Sequence, residues 1–242
     1  MANTLTLERD YLKPNQESKQ ESNLEQKPKS HKIIKIIISL FIIFIILIGC
    51  FFSFCFYLNS KDLNTLNLDI NNYNTLISEV RSNTTPTSSD VASFSNQFTS
   101  LANSFKSIED SKFIQTTNKT TASKYNNLTV YLAANEKSLS TYLTIASEAK
   151  DLNKSNLNDI QSVISKFNSI LSTNEFTQMT NLYNNNTFVK QNILDEESPS
   201  HIQSLVDSSV KKLVLLSKYE VLANNISNFF NLGNIFSNTY SK

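Results

Sequence analysis

The sequence predicts an all-α protein: a single N-terminal transmembrane helix followed by an extracytoplasmic antiparallel bundle of about five helices. Three observations carry this. Residues Ile36 to Leu58 form one unbroken apolar run, IIISLFIIFIILIGCFFSFCFYL, with no charge in it. Beyond the run, apolar side chains recur at spacings of three and four, the period of one helix face. Strand signals are missing: there is no sustained alternation and no Asn-Gly or Asp-Gly turn, and Gly49 and Gly233 are the only glycines in 242 residues.

Residues 1–32 are rich in Gln, Glu, Asn, Ser and Lys, have little to bury, and are expected to form a disordered basic cytoplasmic tail. Residues 33–58 are expected to be a signal anchor. At roughly 1.5 Å per residue, the apolar run is long enough for a bilayer core of about 30 Å, so the lipid bilayer is the expected partner of residues 36–58. Lys27, Lys29, Lys32 and Lys35, with His31 among them, precede the run, whereas Asn59, Ser60, Lys61 and Asp62 follow it. Lysine and arginine beside a membrane segment stay on the cytoplasmic side. The expected placement is therefore single-pass in the cytoplasmic membrane, with the N-terminus inside and residues 59–242 outside.

Leu47-Ile48-Gly49-Cys50 has the form of a lipoprotein cleavage box, which makes Cys50 a candidate lipidation residue. Two features oppose it. The preceding tail is longer than a signal n-region, and the residues after Cys50, FFSFCFYL, stay apolar where lipoproteins turn polar. Cys50 and Cys55 are the only cysteines, so the outer region has no thiol for disulfides, nucleophilic attack or metal binding.

The outer helices can be placed in order. Leu63, Leu66, Ile70, Tyr73, Ile77 and Val80 form one stripe, and Val91, Phe94, Phe98, Leu101, Phe105 and Ile108 repeat its spacing. Between them Ser82–Asp90 reads as a loop, with Ser88 or Ser89 expected to cap the second helix. Two such stripes suit a coiled-coil hairpin, although ordinary bundle packing is the simpler account. A third helix is expected around Leu128, Leu132, Leu139, Tyr142, Ala146 and Ala149. A fourth, opening near Asn153 or Ser155, carries Leu157, Ile160, Ile164, Phe167 and Leu171. A short helical piece over Phe176–Tyr183 gives way to a loop at Asn184–Thr187. The last helix has the clearest start, with Ser198 as cap and Pro199 at the first helical position. Its stripe runs through Ile202, Leu205, Ser209, Leu213, Leu216, Leu222, Ile226 and Phe229, with fraying expected near Gly233.

The outer region is poor in chemistry. Its only histidine is His201, at the start of the last helix, with nothing adjacent to mark a base or an oxyanion hole. Zinc ligands and phosphate-cradling glycine loops are lacking, so no catalytic, cofactor-binding or metal-ligating residue is predicted. Asp195-Glu196-Glu197 is a tight acidic cluster whose position before Ser198 suits favourable interaction with a helix N-terminus. From Asn59 onward there are 15 Lys and Arg against 16 Asp and Glu, with Lys211-Lys212 an isolated pair, so no nucleic acid is expected.

This inventory suits a non-enzymatic, membrane-anchored helical protein. Its outer domain would bind another protein, or a second copy of itself, as a scaffold, spacer or adaptor. The alternatives are a small-ligand sensor ectodomain and a surface lipoprotein processed at Cys50. Sensors usually return through a second membrane helix, and Ile226–Lys242 is too short and polar to be one.

Overall fold

A computed structural model of the protein describes the backbone of residues 30–150, 152 and 156–240, and the side chains of all of these except 30–33 and 229–240. The elements are α1 (Ser30–Ser82), α2 (Ser88–Asp110), α3 (Thr116–Lys150), α4 (Leu157–Ile170), α5 (Asn174–Asn185), α6 (Thr187–Asn192), a 3-10 turn (Asp195–Glu197) and α7 (Pro199–Tyr240). The described residues contain no strand, and the all-α expectation holds.

The chain divides into two compact units, Met1–Phe51 and Phe52–Lys242. In the first, α1 begins at Ser30, so residues 30–32 of the expected tail form its opening turn, while residues 1–29 lie outside the described residues. The most apolar stretch of α1 has a mean hydropathy of 3.1, and none of it is buried. It is long and apolar enough to cross a membrane.

In the second unit, the first stripe is inward-facing as the spacing requires. Leu66, Tyr73 and Ile77 are buried, joined by Leu76, with Ile70 and Val80 packed against them. Asp69 accepts a hydrogen bond from Ser104 and Asp62 one from Ser111, which tie α1 to α2 and to the segment after it. The cap of α2 is Thr87, not Ser88 or Ser89. The Asp90 amide donates to Thr87 Oγ1 at 3.2 Å while the Thr87 amide donates to the Asp90 carboxylate at 3.0 Å. That reciprocal pair satisfies two otherwise orphaned amides, which a lone serine at the next position would not. Val91, Phe94, Phe98, Phe105 and Ile108 then point inward.

The third helix, α3, starts at Thr116, well before its first predicted apolar residue, because its opening turns are polar. The Thr120 and Thr121 hydroxyls bond back to carbonyls four residues earlier, and the first inward side chain of α3 is the small, fully buried Ala122, which the stripe of larger residues does not reveal. α3 packs against α2, α4, α5, α6 and α7. Its Leu128, Tyr131 and Leu132 meet Phe98, Phe105, Phe167, Ile160 and Ile170 in the core, all fully buried. Tyr125 stacks on Phe105 at 5.4 Å between ring centroids and meets Tyr73 edge-on at 5.3 Å.

The later helices differ in detail. The caps expected at Asn153 or Ser155 lie outside the described residues; Asn156 caps α4, its side chain accepting from the Asn158 amide. The expected short helix is α5, and the expected loop at Asn184–Thr187 narrows to Asn186. That residue donates its amide to Leu182 and accepts the Val189 amide at its side chain, closing α5 and opening α6 at once. α7 starts at Ser198-Pro199 as expected, the His201 amide donating to Ser198 Oγ at 3.3 Å. Its helical backbone continues past Gly233 to Tyr240, because one glycine costs about 1 kcal/mol and does not itself end a helix. Ile202, Val206 and Leu213 are buried, but Leu222 and Ile226 are exposed; six residues separate Leu216 from Leu222, which carries the expected stripe round to another face of the helix.

Candidate functional site

The acidic cluster before α7 does not act as one group. Asp195 and Glu196 are exposed, whereas Glu197 is buried. The 3-10 turn rotates Glu197 inward, where Arg81, at the end of α1, meets it with two parallel bonds. Nε donates to Oε1 at 3.0 Å and Nη2 to Oε2 at 2.9 Å. The Leu194 amide donates to the same carboxylate at 2.8 Å. The backbone carbonyl of Glu197 accepts from the Tyr131 hydroxyl at 2.6 Å and from Asn135 Nδ2 at 2.7 Å, both on α3. One residue thus joins α1, α3 and the start of α7. The expected interaction with a helix N-terminus therefore does not describe Glu197, which is a buried junction.

Beside the junction lies a cavity of about 500 Å³. Val80 and Arg81 of α1, Val91 and Phe94 of α2, Asn135, Glu136 and Leu139 of α3, Glu196 and Glu197 of the 3-10 turn, and His201 of α7 contribute to its wall. Glu136 is only 4 % exposed, and among the described residues its carboxyl makes no hydrogen bond and no ion pair. Burial, reinforced by the neighbouring Glu197 charge, pushes its pKa up to about 7. The Arg81 guanidinium is held above its ordinary value chiefly by its bond to Glu197. Burial pushes the Tyr73 hydroxyl up to about 12 and raises that of Tyr131 too, so both stay neutral and the Tyr131 hydroxyl remains a donor to Glu197.

The chemistry available is that of one free acid poised between its two protonation states beside a neutralised ion pair. Among the described residues no group of three or more His, Cys, Asp or Glu side chains is placed to hold a metal ion. His201, the only histidine after the apolar run, is half-buried and lines the cavity, with Glu136 and Glu197 on the same wall. Lys211 and Lys212 are exposed. Cys50 is a free, exposed thiol in the apolar part of α1, and Cys55 is half-buried.

Arg81, Tyr131, Asn135 and Glu136 were not anticipated as site residues. One signal for two of them is visible: the third apolar stripe steps from Leu132 to Leu139, and the inward position it skips holds Asn135-Glu136. The chain matches no protein-family model, and comparison with curated proteins and with solved structures finds no significant similarity.

Proposed function

We propose that the protein is a non-enzymatic, single-pass membrane protein whose outer domain, an antiparallel helical bundle, mediates protein–protein contact, and that its partner is a second copy of the same chain. The observation that carries this is a row on α7. Leu215, Tyr219, Leu222 and Ile226 are 54, 62, 55 and 48 % exposed and step by four, three and four. That is the seam spacing of a coiled coil, left uncovered. An isologous contact needs a patch complementary to itself, and an uncharged row meets that need in either orientation. Confinement of many copies to one membrane raises their effective concentration and favours such a contact.

The anchor rests on the apolar stretch of α1. A helix apolar on every side needs a core or a bilayer around it, and no part of that stretch is covered by the protein. The lysines on its N-terminal flank support a cytoplasmic N-terminus and an outer domain at residues 59–242. A small-ligand sensor is the second reading, favoured by the cavity at Glu136.

The test is the mass of the full chain in detergent by light scattering, for wild type and Leu222→Asp. A dimeric wild type and a monomeric variant of unchanged helicity support the proposal. A monomeric wild type at about ten micromolar, or a variant that stays dimeric, overturns it. Tags on both termini check the anchor. Both must remain on one polypeptide, with external protease removing only the C-terminal tag. A mature chain beginning at lipidated Cys50 would make it a lipoprotein.

A further inference from the structure

Glu136 combines two properties that rarely coexist in a core side chain. It is 4 % exposed, and its carboxyl has no hydrogen-bonding or ionic partner among the described residues. Buried carboxyls ordinarily find a protein partner, because a fully enclosed one loses its hydration. The Glu136 oxygens escape that cost in part, since they are not among the sealed, unpartnered atoms of the described residues, which are Asn59 Oδ1 and Thr180 Oγ1. Here the open side is a cavity of about 500 Å³, a size suited to a small ligand.

The wall selects the ligand's charge. The titratable and charged groups facing this space are Arg81 from α1, Glu136 from α3, Glu196 and Glu197 from the 3-10 turn, and His201 from α7; α2 contributes only apolar side chains, Val91 and Phe94. Arg81 is already engaged by both oxygens of Glu197, so an anion entering the cavity finds no free guanidinium. A cation finds an unengaged carboxyl. Val80, Phe94 and Leu139 supply apolar wall for the ligand's body. A metal ion fits less well, because one free carboxylate is too few ligands for tight coordination.

We propose that this cavity is a binding site for a small organic amine, with its ammonium group held by the Glu136 carboxylate and its hydrocarbon body against Val80, Phe94 and Leu139. The amine enters already protonated. A Glu136 carboxyl that still holds its proton releases it to solvent as the ion pair forms, and no covalent bond to the ligand is made or broken. Because Glu136 stays protonated up to about pH 7, binding strengthens as pH rises through that region and the carboxylate becomes available.

The experiment is titration calorimetry on the full chain in nanodiscs of neutral lipid, with empty discs as blank. The probes are phenethylamine and butylamine against the corresponding alcohols, at about pH 8 and about pH 5.5. Expected are saturable one-to-one binding of an amine at the higher pH, at least about tenfold weaker binding at the lower pH, and at least about tenfold weaker binding by Glu136→Gln. Equal affinity for amine and alcohol, an affinity unchanged by pH, or no saturable amine binding at millimolar concentration overturns the proposal. The first two comparisons use wild-type protein only, so they decide the question even if Glu136→Gln fails to fold. An amine held equally well by folded Glu136→Gln overturns it as well.

Discussion

Replacing Glu136 by glutamine should stabilise the protein, and only at neutral or alkaline pH. In the folded chain the carboxyl keeps its proton up to about pH 7, against an ordinary value of 4.5. Between these two values the folded state holds a proton that the unfolded state has released. Stability therefore falls as pH rises through this window and levels off above it. At about 1.36 kcal/mol per pKa unit, the full penalty is about 3 kcal/mol. Glutamine has nearly the same shape, carries no charge, and can be solvated from the cavity that the carboxyl faces. The variant should match wild type near pH 4.5 and exceed it by about 3 kcal/mol at pH 8, a rise in Tm of about 6–12 °C for a domain of this size. Thermal melts followed by far-UV circular dichroism on the full chain in detergent measure this; the chain has no tryptophan to serve as a probe. A shift of equal size at both pH values would mean that the effect is packing rather than charge. A variant less stable than wild type at pH 8 would mean that the carboxylate has a stabilising partner, and the reasoning would fail.

Three further substitutions probe the rest of the framework. Arg81→Met leaves the Glu197 carboxylate buried without its cation. The expected loss is about 2 kcal/mol in urea titrations, below the range for a fully buried pair because the Arg81 side chain is 34 % exposed. Adding Glu197→Gln should recover part of that loss; if the double variant is the weaker one, the pair is not the junction described. Thr87→Ala should cost about 1 kcal/mol by removing the cap of α2, whereas Ser88→Ala should cost much less, and the reverse order would restore the cap to Ser88. Phe105→Ala should cost about 3–5 kcal/mol, since the ring is fully buried and stacked on Tyr125; a loss under about 1 kcal/mol would mean that the core collapses around the gap.

The helices were legible in the sequence because their apolar residues repeat at the helical period and are, for the most part, the ones that are buried. Leu66, Tyr73 and Ile77 in the first stripe and Phe94, Phe98 and Phe105 in the second sit inward as spaced. Ends and junctions were less legible, because they depend on single hydrogen bonds. Ser88 and Ser89 are equally good cap residues by type, and only Asp90, three residues after Thr87, completes the capping box that distinguishes Thr87. Glu197 read as one of three equivalent acids, since adjacency in sequence says nothing about which side chain a 3-10 turn rotates inward. Its partner Arg81 lies 116 residues away, and no local pattern links the two. Glu136 was hidden for a different reason. A gap in an apolar stripe reads as noise until the helix is seen to be enclosed there, and then it marks a polar group that the core has had to accommodate.

α7 shows where periodicity stops being informative. Ile202, Val206 and Leu213 on one side and Leu215, Tyr219, Leu222 and Ile226 on another are spaced alike, yet the first set is buried and the second is not. A stripe records that a helix has something to cover, not that its own chain does the covering. After Leu216 the described side chains of α7 are no longer packed into the core, so the apolar residues that follow are not needed for the core. Leu222 is 55 % exposed, so it adds little to fold stability over a polar side chain, and an exposed apolar row carries a cost in solubility. A uniformly polar end to α7 would remove the basis for the proposed self-association while leaving the packed domain unchanged, so the Leu222→Asp comparison tests that proposal without disturbing the core.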